Sequence, residues 1–191
     1  MIIGLTGSLG AGKGTIIEYL KSQGFEYFTL SDELRKEAVK RNIPLTRSNL
    51  QDLGNEFRER EGPAALAKRA LANMQPAKGY IVDGVRNPGE IKELKSKNNF
   101  FLVSIDAPAQ LRFQRMLQRN QEKDPRTWEE FLQVDARDKG KGEKETGQQN
   151  AACMELSDFQ IYNDGDIGAM HEEIQKTLGQ IQDIIHQKAL H

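Results

Sequence analysis

The chain has 191 residues, with 27 Lys and Arg against 28 Asp and Glu, a net charge of −1. That length suits one domain with a sizeable core, and the near-zero charge gives no bulk electrostatic case for binding nucleic acid or a membrane surface. No run reaches the roughly 18 apolar residues of a membrane span, "MIIGLTG" lacks the basic start and long apolar core of a signal peptide, and one cysteine, Cys153, cannot form an internal disulfide or a multi-cysteine metal site. The expectation is a cytoplasmic protein, monomeric or a small homo-oligomer, acting on a small molecule.

Strand-length apolar runs alternate with amphipathic helical patterns. "MIIGL" (1–5) reads as a buried strand and "GTIIEYLKSQ" (14–23) as a helix with Ile16, Ile17 and Leu20 on one face. "FEYFTL" (25–30) is a second strand, followed by helices over 31–41, 47–60 and 63–74. "YIVDG" (80–84), "FFLVSID" (100–106) and "FQIYN" (159–163) complete five strands, with helices over 88–97, 108–120, 127–138 and about 167–188. Strands separated by helices imply right-handed crossovers and a mostly parallel sheet covered on both faces, an α/β fold in three layers. "DKGKGEKETGQQN" (138–150) has no aliphatic or aromatic residue, which reads equally as a flexible surface loop or a lid element. The three histidines, His171, His186 and His191, fall on or beyond the last helix and carry no chemistry.

Between the first strand and the first helix lies "GSLGAGKGT" (7–15). Gly7, Gly12 and Lys13 have the G-x-x-x-x-G-K spacing of a phosphate-binding loop. Backbone N–H groups of Gly7, Ser8, Leu9, Gly10, Ala11, Gly12, Lys13, Gly14 and Thr15 can wrap an anion where side chains would obstruct the turn. The following helix directs its positive end at the same point, and Lys13 adds a full charge for β- and γ-phosphates. Gly14 stands where the pattern has Ser or Thr, so Thr15 is the hydroxyl candidate for Mg²⁺.

"GSLGAGKGT" resembles the loop of adenylate kinase and other nucleoside monophosphate kinases, which ends G-K-G-T and holds Mg²⁺ largely through water. Other segments resemble that family as well. "SDELR" is similar to its "GDxLR", so Arg35 matches the arginine that binds the acceptor phosphate, with Asp32 and Arg58 as further acceptor contacts. "DGVRNPGE" is similar to "DGxPR" shortened by one residue, making Asp83 a Walker-B aspartate for a Mg²⁺ water and Arg86 an acceptor and catalytic arginine. "RMLQR" matches the R-x-x-x-R of the helix entering the lid, with Arg115 on the nucleotide and Arg119 on the transferring phosphoryl. "ARDKG" supplies Arg137 as a lid arginine, and "IYNDG" places Asn163 beside the adenine ring. The "DGVRNPGE" form is closest to an adenylate-kinase-related branch found in archaea and as modules joined to deoxycytidylate deaminases.

The resemblance implies a P-loop NTPase fold with an acceptor-binding insertion over 31–74 and a lid over about 120–150. The implied reaction is transfer of the γ-phosphoryl of ATP, with Mg²⁺, to a phosphate monoester, foremost a nucleoside or deoxynucleoside monophosphate. Two alternatives stand beside it: a dephospho-coenzyme A kinase, and an adenylate-kinase-like ATPase acting as an assembly factor or switch. A GTPase is disfavoured because no N-K-x-D motif exists.

Overall fold

In the computed structural model, which describes residues 1–75, 78–120 and 124–190, five strands form a single sheet. They are β1 (Ile2–Gly7), β2 (Glu26–Thr29), β3 (Tyr80–Asp83), β4 (Phe100–Asp106) and β5 (Phe159–Tyr162). Their order is β2-β3-β1-β4-β5, and all four pairings are parallel. β1 is central and short of polar residues because both its faces are buried. The chain leaves β1 toward one edge and later crosses it to reach β4, so a crevice opens at the carboxyl ends of these strands.

Alternation along the strands divides the core. Phe101, Val103 and Ile105 point to one face with Ile3 and Leu5, where α1 (Lys13–Ser22) and α9 (Ile167–Ala189) cover them through Ile16, Leu20, Met170 and Ile174. Phe100 and Leu102 point to the other with Val82. That face is covered by α2 (Ser31–Lys40), α3 (Arg47–Glu61), α4 (Ala65–Ala72), α5 (Pro88–Leu94) and α8 (Asn150–Glu155). Cys153 of α8 is fully buried there, and burial, with Glu90 adding to it, pushes its thiol pKa well up.

α6 (Ala109–Arg119) and α7 (Trp128–Asp138) stand to one side with a small core of their own, in which Met116 and Phe131 pack with Leu9. Trp128 stacks on Phe131 at a centroid distance of 5.2 Å. α7 therefore has an apolar anchor within the segment expected to be a lid; residues 121–123 of that segment lie outside the described residues. The stretch 138–150 is anchored too, through polar groups: Asp138, Gln148 and Asn150 are all buried.

Candidate active site

β1 ends at Gly7, where φ is +130° and an added Cβ would lie 2.1 Å from the carbonyl oxygen of Ile105 in β4. Only glycine lets the chain turn away so close to the neighbouring strand. The loop closes on Gly12 (φ 108°), after which α1 starts with no side-chain cap and no acidic residue in its first turn. Its leading N–H groups and positive end are thereby available to an anion. Lys13 Nζ donates to the carbonyls of Gly7 (2.8 Å) and Ser8 (3.0 Å). Burial lowers the Lys13 pKa; Asp83 and Asp138 oppose that, and Arg86 and Arg47 add to it. Two carboxylates and two further guanidinium groups are thus electrostatic neighbours of this ammonium.

Asp83 ends β3. Its Oδ2 accepts a hydrogen bond from Tyr27 at 3.2 Å, while Oδ1 is buried with no partner. An acceptor left open at the crevice suits a carboxylate that orients a metal-bound water. Burial, with Asp83 second, raises the pKa of Tyr27. On the opposite flank, Arg115 of α6 donates to Asn163 O (3.0 Å) and Asn163 Oδ1 (3.2 Å). Asn163 Nδ2 donates in turn to Ala11 O of the loop at 2.8 Å. Arg115, Asn163 and the phosphate loop are therefore one hydrogen-bonded unit.

Between α2, α3 and the β3–α5 turn lies a cavity lined by Leu30, Leu34, Leu45, Leu50 and Leu66, together with Arg35, Arg47, Arg58 and Arg86. No carboxylate lines it among the described residues. Arg86 donates from Nη1 to Asp138 Oδ1 at 3.2 Å. Arg35 reaches the cavity but pairs with Asp32 at 3.1 Å, both largely exposed. Arg58 differs from expectation. Its Nε (2.9 Å) and Nη2 (2.8 Å) go to Glu90 Oε1, and both side chains are buried. Glu90 Oε2 accepts from the backbone N–H groups of Arg86 and Asn87, so Arg58 holds the turn that carries Arg86. Arg119 makes a bidentate pair with buried Asp124 at 2.5 and 2.7 Å. Arg137 points elsewhere: it binds Glu143 (2.7 Å) and Asp52 (2.6 Å) and lines a separate groove between α3 and α7.

Two residues escape motif reading. Arg47, the first residue of α3, lines the cavity beside Arg86. A cation at a helix N-terminus opposes the macrodipole, and that mismatch after the Thr46 cap is the one hint in the sequence. Arg112 of α6 is 2% exposed. It donates to Ala107 O (2.9 Å) and to Leu9 O of the phosphate loop (3.0 Å), and forks onto Asp135 of α7 at 2.5 and 3.1 Å. Burial pushes the Asp135 pKa up, but Arg112 and Lys139 outweigh it and hold the carboxyl below its usual range. A depressed folded-state pKa stabilises above the unfolded value of about 4 and is lost as pH falls through the lower folded value. The urea midpoint of the native chain should therefore exceed that of Asp135→Asn at neutral pH. The gap should narrow below about pH 4; a gap constant with pH would show that Asp135 is not ionised in this pair.

Residues 6–132 match the family model described as an AAA domain. A UPF0200 protein of Pyrococcus horikoshii is 32% identical over 188 residues, covering 95% of this chain and 97% of that protein. One of Pyrococcus abyssi is 33% identical over 194 residues, covering 98% and 100%. Among solved structures, shikimate kinase from Acinetobacter baumannii in complex with shikimate has a TM-score of 0.57 at 17% identity, covering 95% of this chain and 93% of that one. A gluconokinase from Sinorhizobium meliloti has a TM-score of 0.56 at 16% identity, covering 97% and 95%. These likenesses establish a P-loop kinase fold. With its AAA domain over residues 6–132 and full-length relatives of that name, the chain belongs to the UPF0200 family.

Proposed function

We propose that the chain transfers the γ-phosphoryl group of ATP to the phosphate of a nucleoside or deoxynucleoside monophosphate. The observation that carries this reading is the cavity wall: four arginines, five leucines and no carboxylate among the described residues. An acceptor hydroxyl, as in a sugar or sugar acid, needs a general base within reach. Ser31, Gln51 and Gln148 also line the cavity and offer partners for the sugar hydroxyls of either kind of acceptor. A phosphate monoester needs no such base. Its oxygen is already anionic, so the β,γ-bridging P–O bond breaks as a new P–O bond forms, giving ADP and a diphosphate. Cations must instead offset the charge of two approaching anions, and Lys13, Arg86 and Arg47 are mutual electrostatic neighbours. The leucine walls suit the faces of a base.

Arg115 and Asn163 hold the adenine end, and the loop 7–15 with Lys13 binds the β- and γ-phosphates. Thr15 and Asp83 fit a Mg²⁺ ion, Asp83 through its open Oδ1; when bound, Mg²⁺ offsets charge on the same phosphates. Arg119 and Arg137 serve lid and structural pairs until substrates engage them.

ADP release measured against ribo- and deoxynucleoside monophosphates, dephospho-coenzyme A, shikimate and gluconate tests the reading. Stimulation by one monophosphate class supports it, whereas stimulation by the hydroxyl acceptors alone, or acceptor-independent hydrolysis alone, overturns it. Arg86→Ala should lower acceptor kcat/KM about ten- to a hundred-fold, the worth of one charged hydrogen bond, with the KM for ATP nearly unchanged. A rise in the KM for ATP instead would move Arg86 to the nucleotide subsite.

A further inference from the structure

Behind the cavity wall a carboxylate stands between two of its arginines. Asp138, the last residue of α7, is 5% exposed. Its Oδ1 accepts from Arg86 Nη1 at 3.2 Å and Gln148 Nε2 at 2.5 Å, and its Oδ2 accepts from Asn150 Nδ2 at 2.7 Å. The carboxylate is well satisfied. Arg47 is not: its Nη1 lies 3.8 Å from Asp138 Oδ1, beyond hydrogen-bond range, and its Nε is buried without a partner. Burial, then the charge of Arg86, lowers its pKa. A desolvated guanidinium with an open donor, placed against its helix dipole, costs folding free energy that its loose pairing does not return.

Two guanidinium groups together present ten N–H donors to one singly charged side chain. A phosphate monoester, with up to two charges and three free oxygens, would satisfy both forks where one carboxylate cannot. Asp138 is also the root of a strap. Gln148 and Asn150 belong to the stretch 138–150, Gln149 N donates to Arg86 O at 2.6 Å, and Asn87 Nδ2 donates to the carbonyls of Glu145 and Gly147. With no aliphatic or aromatic residue in that stretch, polar contacts alone hold it to the turn bearing Arg86.

We propose that Asp138 is a built-in stand-in for the acceptor's anionic group, holding Arg47 and Arg86 together until a phosphate monoester displaces it and frees the strap 138–150. For the identity of the anion this rests on the reading above. It makes Arg47 an acceptor-binding residue and couples acceptor binding to a loosening of the strap, whose Gln148 lines the cavity.

The test uses full-length protein saturated with Mg²⁺ and a non-hydrolysable ATP analogue, so that the phosphate loop is filled. Inorganic phosphate and a nucleoside 5′-monophosphate are then titrated by calorimetry, with hydrogen exchange followed over 138–150. Asp138→Asn should bind either anion about tenfold or more tighter, and Arg47→Ala about tenfold or more weaker, the range of one charged hydrogen bond. Exchange over 138–150 should speed up when anion binds the native chain and should already be fast in Asp138→Asn. A folded Asp138→Asn with unchanged or weaker anion binding overturns the proposal. If that variant does not fold, Arg47→Ala decides, and unchanged affinity there overturns it. Tighter phosphate binding by Asp138→Asn, with no monophosphate turned over by the native chain, sustains the stand-in while removing the kinase assignment.

Discussion

Lys13→Ala is expected to lower phosphoryl transfer by about a thousandfold or more while the free protein melts no earlier than the native chain. The asymmetry follows from where the ammonium sits. Lys13 is desolvated, and burial leads the causes that lower its pKa, so its charged form already works against folding at neutral pH. Removing it costs two hydrogen bonds to the carbonyls of Gly7 and Ser8, of which Ser8 O keeps a bond from Ala11 N. The transferring phosphoryl, by contrast, loses its nearest full positive charge in a water-poor crevice, where one such contact is worth roughly 3–4 kcal/mol or more. Stabilisation by Mg-ATP should shrink in parallel. Near-native turnover would remove this loop from the chemistry.

The second large effect concerns stability. Arg112→Ala should destabilise the fold by about 3 kcal/mol, because it leaves the buried Asp135 carboxylate with Lys139 (3.0 Å) as its remaining ion-pair partner and takes the donor from two buried backbone carbonyls. For a chain of this size that corresponds to a fall in Tm of roughly 10 °C. Leu9 O is one of those carbonyls, so nucleotide affinity should fall as well. The pair Arg112→Met with Asp135→Leu should recover part of the loss, since apolar replacements remove the buried carboxylate. An unchanged melt for Arg112→Ala would mean that α7 and the loop do not depend on this fork.

The order of strands and helices was legible because each run buries a recognisable face. The five runs read as strands all lie in the sheet, and Gly7, Gly12 and Lys13 fall at the strand-to-helix turn that a phosphate loop requires. α8 was not legible. Six residues, Asn150–Glu155, are too few to show a helical period. The stretch 138–150 was legible as non-core, but composition could not reveal that Asp138, Gln148 and Asn150 bury their polar atoms against one another. Arginine motifs fared unevenly for a physical reason. Spacing places a guanidinium on a helix face but does not say which carboxylate meets it, and Arg58 finds Glu90 thirty-two positions away. Arg47 belongs to no motif, and its place beside Arg86 on the cavity wall follows from tertiary packing that no local spacing encodes.

The deep position of Cys153 has a practical side. A fully buried thiol whose pKa is pushed up carries almost no thiolate at neutral pH, and thiolate is the form that alkylating dyes and oxidants attack. The native chain is thus already a silent background for thiol labelling. A single reporter cysteine on the exposed outer rim of the strap, such as Lys141→Cys, gives a spectroscopic handle on its movement without first stripping the core of its own sulfur.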